Sequence, residues 1–465
     1  MKRAIPILLL IALALAAQRA RRKGGADQGY FHTAVPEHLF TLTLGRPTAT
    51  SVTATVLANE DLEGFFDPGG NKSAHSRFPK GQPVPVLFGG LKPDSGYRYR
   101  FHYRRPGHGT FEASPVYSFH TQRSRDAAFT FAVQADSHLD ENTAPETYRR
   151  TLLAMLDARP DFLIDLGDTF MTDKRRTDFR EAFPQYLAQR YWFGLVAHSV
   201  PLFLTLGNHD GEGGARHDGS AESMAAWSHA LRTRYFPNPR PDGFYSGNRE
   251  AGPLKSPLEN YYAWQWGGAL FVVLDPFWPT TGRTRGNLWR WTLGRQQYDW
   301  LHHSLEQSDA RFKFVFIHHP AGANTEPIRG GIAAARFGEW GGRNADGGDG
   351  FREHRPGWPM PVHALFVKHG VSVVFHGHDH LYAREELDGV VYQAVPQPGN
   401  PRSGGPPRNA HEYGYTQGTI LGGSGFVRVS VAPGRASAEF VHQSDGVAHR
   451  YAIEPGPGAL NRPAP

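Results

Sequence analysis

Three histidines fall within six residues at Phe375-His376-Gly377-His378-Asp379-His380, directly after the apolar run VSVVF. Four other apolar runs end in similar polar clusters. FTFAVQA leads into Asp136-Ser137-His138, and DFLIDL into Gly167-Asp168. VPLFLTL leads into Gly207-Asn208-His209-Asp210, and FKFVFI into His318-His319-Pro320. Crowded imidazoles repel one another when protonated, and each needs a partner when buried and neutral. Either they are spread over solvated loops or a cation holds them. Carboxylate, amide and imidazole donors without sulfur suit Zn, Mn or Fe.

The elements that must carry these clusters follow from the patterning. After residue 128, short apolar runs alternate with helical stretches, PETYRRTLLAMLDA, GRQQYDWLHHSLEQS and MPVHALFVKHG among them. Such alternation predicts an α/β domain with substantial parallel character. In open α/β sheets the ligand site lies beyond the carboxyl ends of the strands, so the five clusters converge on one place. GNHD alone also reads as a helix cap, but the strand before it and its place in the series favour the site. Two long polar segments, 211–260 and 321–359, read as loops that overhang this end.

Residues 29–122 have a different texture, with strand-like runs LFTLTLG, TSVTATVLA, VPVLFGGL, YRYRFHYR and PVYSFHT between turn residues. Tyr97, after the turn Pro93-Asp94-Ser95-Gly96, is placed for the hydrogen-bonded corner typical of small β-sandwiches. The polar stretch QRSRDAA links this module to the α/β domain at 128–450, and a Pro/Gly-rich tail occupies 451–465.

The formal net charge of +6 belongs to the N-terminus. Lys2, Arg3, Arg19, Arg21, Arg22 and Lys23 are the charged residues of 1–23, and without them 44 basic residues face 44 acidic ones. The body therefore carries no basic field for nucleic acid. The segment 1–23 has a basic start, an apolar stretch and small residues, the build of a signal peptide, with an uncleaved anchor as the alternative. It predicts a periplasmic or secreted protein whose one membrane contact would be that anchor. The chain has no cysteine, which excludes disulfides and thiolate chemistry. Oligomeric state is not legible.

The ordered series D-x-H, G-D, G-N-H-D, H and G-H-x-H resembles the calcineurin-like metallophosphoesterase superfamily over roughly residues 128–440. The N-terminal stretch resembles the fibronectin type III-like module in front of purple-acid-phosphatase-like catalytic domains. The resemblance implies a four-layer αββα sandwich preceded by a small all-β sandwich. It also implies two metal ions, Mn, Fe or Zn, and hydrolysis by metal-bound hydroxide. Asp136, His138 and His380 would hold one ion and Asn208, His318 and His378 the other. Asp168 would bridge them through its two oxygens, and His209 would be the catalytic histidine near the leaving group. Asp210 or Asp379 would orient imidazoles. Purple acid phosphatases carry a tyrosine where Met171 stands and tend to lack a histidine at the position of His138, so a purple ferric site is not expected. His319 and His376 read as either neighbours of the ligands or structural residues, and His302 and His303 as helix-surface residues. Trp340 and Arg352 read either as pocket lining or, for Trp340, as packing under a glycine-rich loop. The expected substrate is a small phosphate monoester. Alternatives are a phosphodiesterase or nucleotidase on the same site, or a binding protein with a vestigial site.

Overall fold

The computed structural model describes residues 31–456 apart from 176–178, 253–254, 283, 285, 321–328, 402–409 and 445. The predicted signal or anchor segment lies outside the described residues. Among the described residues, no helix is long and apolar enough to cross a membrane.

Residues 40–120 fold as antiparallel strands. Phe40–Gly45, Val52–Ala58 and Pro83–Phe88 form one sheet, and Ser76–Phe78, Leu62–Phe66, Phe101–Arg104 and Glu112–Ala113 a second. Alternate side chains of the two sheets, including Val52, Ala54, Val56, Phe66, Phe78 and Phe101, fill a common core. A third pair, Gly96–Tyr99 with Tyr117–His120, completes the module. The Tyr97 hydroxyl accepts a 2.7 Å hydrogen bond from the Lys92 amide, the corner expected from the turn before it.

Two sheets dominate the rest. One has the order Leu202–Leu204, Phe162–Asp165, Phe129–Gln134, Gly425–Ala432, Arg435–His442, Gly446–Ile453, its first three strands parallel. The other has eight strands, with Ala269–Val273, Phe312–Phe316, Val373–His376 and Val390–Ala394 parallel at its centre. Period-two alternation sends Phe131, Val133, Phe162 and Ile164 from the first sheet against Phe271, Phe314, Phe316 and Phe375 from the second. The intervening residues point outward to helices. Ala132 and Leu163 meet Pro145–Ala158 and Phe179–Ala197; Val272, Val315 and Val374 meet Gly294–Gln307 and Val362–His369. Both faces of each sheet are covered, so the parallel strands read as continuous apolar runs rather than alternating ones. The result is the four-layer αββα sandwich.

The β-module is seated on the α/β body by polar contacts as well as packing. Arg190, fully buried on the helix Phe179–Ala197, donates to Thr43 Oγ1 and to the carbonyls of Thr55 (2.8 Å) and Tyr235 (3.0 Å). Tyr99 donates to the carbonyl of His198 at 2.5 Å. The segments read as long loops are partly helical. Met224–Tyr235 lies in the first, and Gly331–Ala334, Gly338–Gly341 and Phe351–His354 in the second. Trp340 is fully buried, donates to the Tyr392 hydroxyl at 2.9 Å and packs edge-on to Phe366, so it is core rather than pocket lining.

Candidate metal centre

The five strand-end clusters meet at one end of the two sheets, where the parallel strands finish. Ligand-type atoms of Asp136, His138 and His380 lie within 4.8 Å of one another, and so do those of Asp168, His318 and His378. Nε2 of His380 and of His138 stand 3.4 and 3.7 Å from Oδ1 of Asp136. Oδ1 of Asn208 is 3.0 Å from Nε2 of His318. Asp168 stands between the two groups: its Oδ2 is 3.3 Å from Nε2 of His318 and 3.9 Å from Nε2 of His138. Its other oxygen accepts the backbone N–H of His209 at 2.7 Å. One Asp168 oxygen thus faces both groups, while the other accepts from the chain.

The backbone works against local preference to bring these groups in. Asp136, His138, Asp168, His378 and His380 all have positive φ, between 48° and 73°. Non-glycine residues there are strained, at about 1–3 kcal/mol each, and persist only where the surroundings over-determine them. Close approach of the loops also needs glycine. A Cβ on Gly377 would fall 2.6 Å from Oδ2 of Asp136, and one on Gly207 would collide with the backbone of Asp168.

Oδ1 of Asp136, Nε2 of His138 and Nε2 of His378 are buried without any hydrogen-bond partner. Such atoms are costly unless something binds them. The electrostatics name what that is. Burial would lift the Asp136 carboxyl, yet His380 and His138 beside it hold it well below the usual carboxylate range. Burial would depress the His138 and His318 rings, yet Asp136 and Asp140 hold the first up to about 10, and Asp168 the second up to about 9. The carboxylates thus favour positive charge at the His138 and His318 nitrogens, which a cation supplies as well as a proton does, whereas burial and the neighbouring His319 and His318 hold the His378 ring well below the usual imidazole range. Carboxylate, amide and imidazole donors with orphaned buried atoms fit a pair of borderline divalent ions.

Orientation of the rings comes from partners that the motifs did not reveal. Nδ1 of His138 is 3.1 Å from Oδ2 of Asp140, and Nδ1 of His318 is 2.9 Å from the carbonyl oxygen of Leu166. Asp173 holds the half-buried His209, its two oxygens 2.8 and 3.0 Å from Nδ1, while Arg216 donates to the same carboxylate at 2.8 Å. Asp173 carries no motif signal; only the fold brings it to His209. The expected orienting acids do other work. Asp210 accepts backbone N–H groups from Gly207, Asp168, Thr169 and Phe170, tying two ligand loops together. Asp379 accepts from Arg329 and Tyr415.

His319 is buried against Phe277 and Trp291 and lies outside both ligand groups. His376 is a buried strand residue whose ring stacks on Tyr415. Met171, at the position of the purple-enzyme tyrosine, is buried. Arg352 is exposed on a short helix.

The sequence model of the calcineurin-like phosphoesterase family matches residues 129–382. No curated protein sequence matches the chain. Among solved structures the fold is similar to that of PhoD, at 15% identity and a TM-score of 0.61, covering 90% of this chain and 92% of that one. It is also similar to purple acid phosphatase PPD1 from yellow lupin (Lupinus luteus) seeds, at 16% identity and a TM-score of 0.60, covering 90% of this chain and 74% of that one.

Proposed function

The chain belongs to the calcineurin-like phosphoesterase family, and on that premise we propose that it hydrolyses phosphate monoesters at a dinuclear metal centre. Asp136, His138 and His380 would hold one ion and Asn208, His318 and His378 the other, with Asp168 shared. When bound, the two ions supply Lewis acidity toward the phosphoryl oxygens and acidify a water. The observation that carries this reading is the set of orphaned buried atoms on Asp136, His138 and His378, divided between two groups with one carboxylate oxygen between them.

The protein's own residues do the rest. Asp140 and the Leu166 carbonyl fix the rings of His138 and His318 so that each presents Nε2. Asp173 accepts the Nδ1 proton of His209, which leaves Nε2 as the nitrogen that meets substrate. A ring protonated there donates to the departing ester oxygen. The chain has no cysteine, and the serine within the clusters, Ser137, is fully buried and accepts from Gln189 at 2.9 Å, so the reading carries no covalent intermediate. The N-terminal segment favours export to a periplasmic or extracellular setting, which N-terminal sequencing of the mature protein tests.

The experiment is a comparison of p-nitrophenyl phosphate with bis-p-nitrophenyl phosphate on protein loaded with Mn, Zn or Fe, before and after chelation. Chelator-sensitive turnover with the monoester preferred is the expected result. Preference for the diester overturns the substrate assignment, and no turnover on folded, loaded protein overturns the function.

A further inference from the structure

The features that mark the main centre recur on the far side of the eight-stranded sheet, where Gly294–Gln307 packs beside Val362–His369. Nε2 of His302, from the first helix, and Nε2 of His369, from the end of the second, are both buried without a hydrogen-bond partner. The two rings have centroids 5.4 Å apart and planes 57° apart. Within the main centre the paired rings His138–His380 and His318–His378 are 4.7 and 5.2 Å apart. Two imidazoles on one tetrahedral ion, with metal–nitrogen distances of about 2.0–2.1 Å, also place their centroids roughly 5 Å apart. His302 is half-buried, not the surface residue its helix position suggested, while His303 is exposed. His369 is 7% exposed, so its unmatched nitrogen is not serviced by bulk water.

We propose that His302 and His369 form a second, separate cation site, selective for a borderline divalent ion such as zinc, with Glu306 as third donor. Glu306 lies one helical turn after His302, on the same face; its negative charge acts on the His369 ring against the positive charges of Lys368 and Lys313. The three donors do not yet meet the 4.8 Å grouping of the main centre, so Glu306 joins by turning about its side-chain torsions and water completes the shell. Lys313, a nearby buried cation, donates to the His369 carbonyl at 2.8 Å and so is engaged by the backbone rather than by either ring. The bound ion is a clip between two helices of one outer layer. It adds to stability by its binding to the folded state and takes no part in ester hydrolysis.

The test is equilibrium dialysis of the full chain against buffered zinc, with bound zinc counted on wild type, His302→Gln, His369→Gln and Glu306→Gln. Wild type should retain one zinc per chain more than either histidine variant, with phosphomonoester hydrolysis unchanged in both. Glu306→Gln should weaken that extra zinc by at least roughly the 10–100-fold that loss of an outer hydrogen-bonding group costs a metal site. Equal zinc in wild type and both histidine variants overturns the site. So does extra zinc that washes out at micromolar free zinc, which is adventitious binding only. Because the readout is a difference between proteins sharing one main centre, it holds even where that centre binds fewer ions than expected. Should a histidine variant fold poorly, as judged by its hydrolysis rate, the zinc-dependent rise in melting temperature decides the question: it should be smaller in Glu306→Gln than in wild type, and equal rises overturn the site.

Discussion

Nδ1 of His209 lies 2.8 Å from one carboxylate oxygen of Asp173 and 3.0 Å from the other. The pair joins two loops distant in sequence, and Arg216 shares the acid. Asp173 thereby fixes the ring's orientation.

Asp173→Asn should keep its metal and lose kcat by about 10–100-fold, the range for removing a group that orients a functional imidazole. KM should change little. Metal analysis alongside steady-state kinetics checks this; loss of metal in the variant would make Asp173 part of the binding shell instead.

His209→Ala should likewise retain metal, with a rate loss of about 10²–10⁴-fold for a poor leaving group. The loss should shrink for p-nitrophenol, which leaves without a proton. A series of aryl phosphates of graded leaving-group acidity reads this directly, and a loss independent of leaving group would remove the proton-donor role.

Gly377→Ala should fold but bind metal poorly. Its new Cβ, 2.6 Å from Oδ2 of Asp136, must push that carboxylate out of place. Competition with a metal-binding dye should show affinity reduced by more than about tenfold. Affinity equal to wild type would mean the loop yields without moving Asp136.

His198 gives a pH dependence independent of the metals. Burial lowers its pKa from the usual 6.5 to about 4 in the folded chain, where it stacks on Tyr117 of the β-module. The unfolded chain therefore binds more protons between those values, and stability falls as pH drops from 6.5 toward 4. Urea unfolding with chelator present should show a shallower slope in His198→Gln over that range. Identical slopes would assign the acid sensitivity elsewhere.

The strands and helices flanking the centre were legible because buried parallel strands are short apolar runs and amphipathic helices carry a clear stripe. Pro145–Ala158 coincides with its sequence pattern. The helix Phe179–Ala197 was not legible. It contains Pro184 and is buried on several sides, by the six-stranded sheet and by the β-module, so it shows no stripe of helical period. That the eight residues at strand ends lie at one end of the sheets was legible for the same reason as the strands: each falls within five residues of the end of its run. Asp140, Asp173 and Arg216 were not, because a partner that holds a ring through space obeys no spacing rule. Nor did residue type foretell that Asp168 turns a single oxygen toward both groups.

The shared oxygen of Asp168 is the centre of the functional reading, and electron paramagnetic resonance of the chain loaded with two equivalents of Mn(II) tests it most directly. Ions held roughly 3.5–4 Å apart should give an exchange-coupled spectrum, replaced in Asp168→Ala by the signal of isolated Mn(II). Isolated-ion spectra from wild type, or coupling that survives in Asp168→Ala, would contradict a dinuclear centre built on this residue.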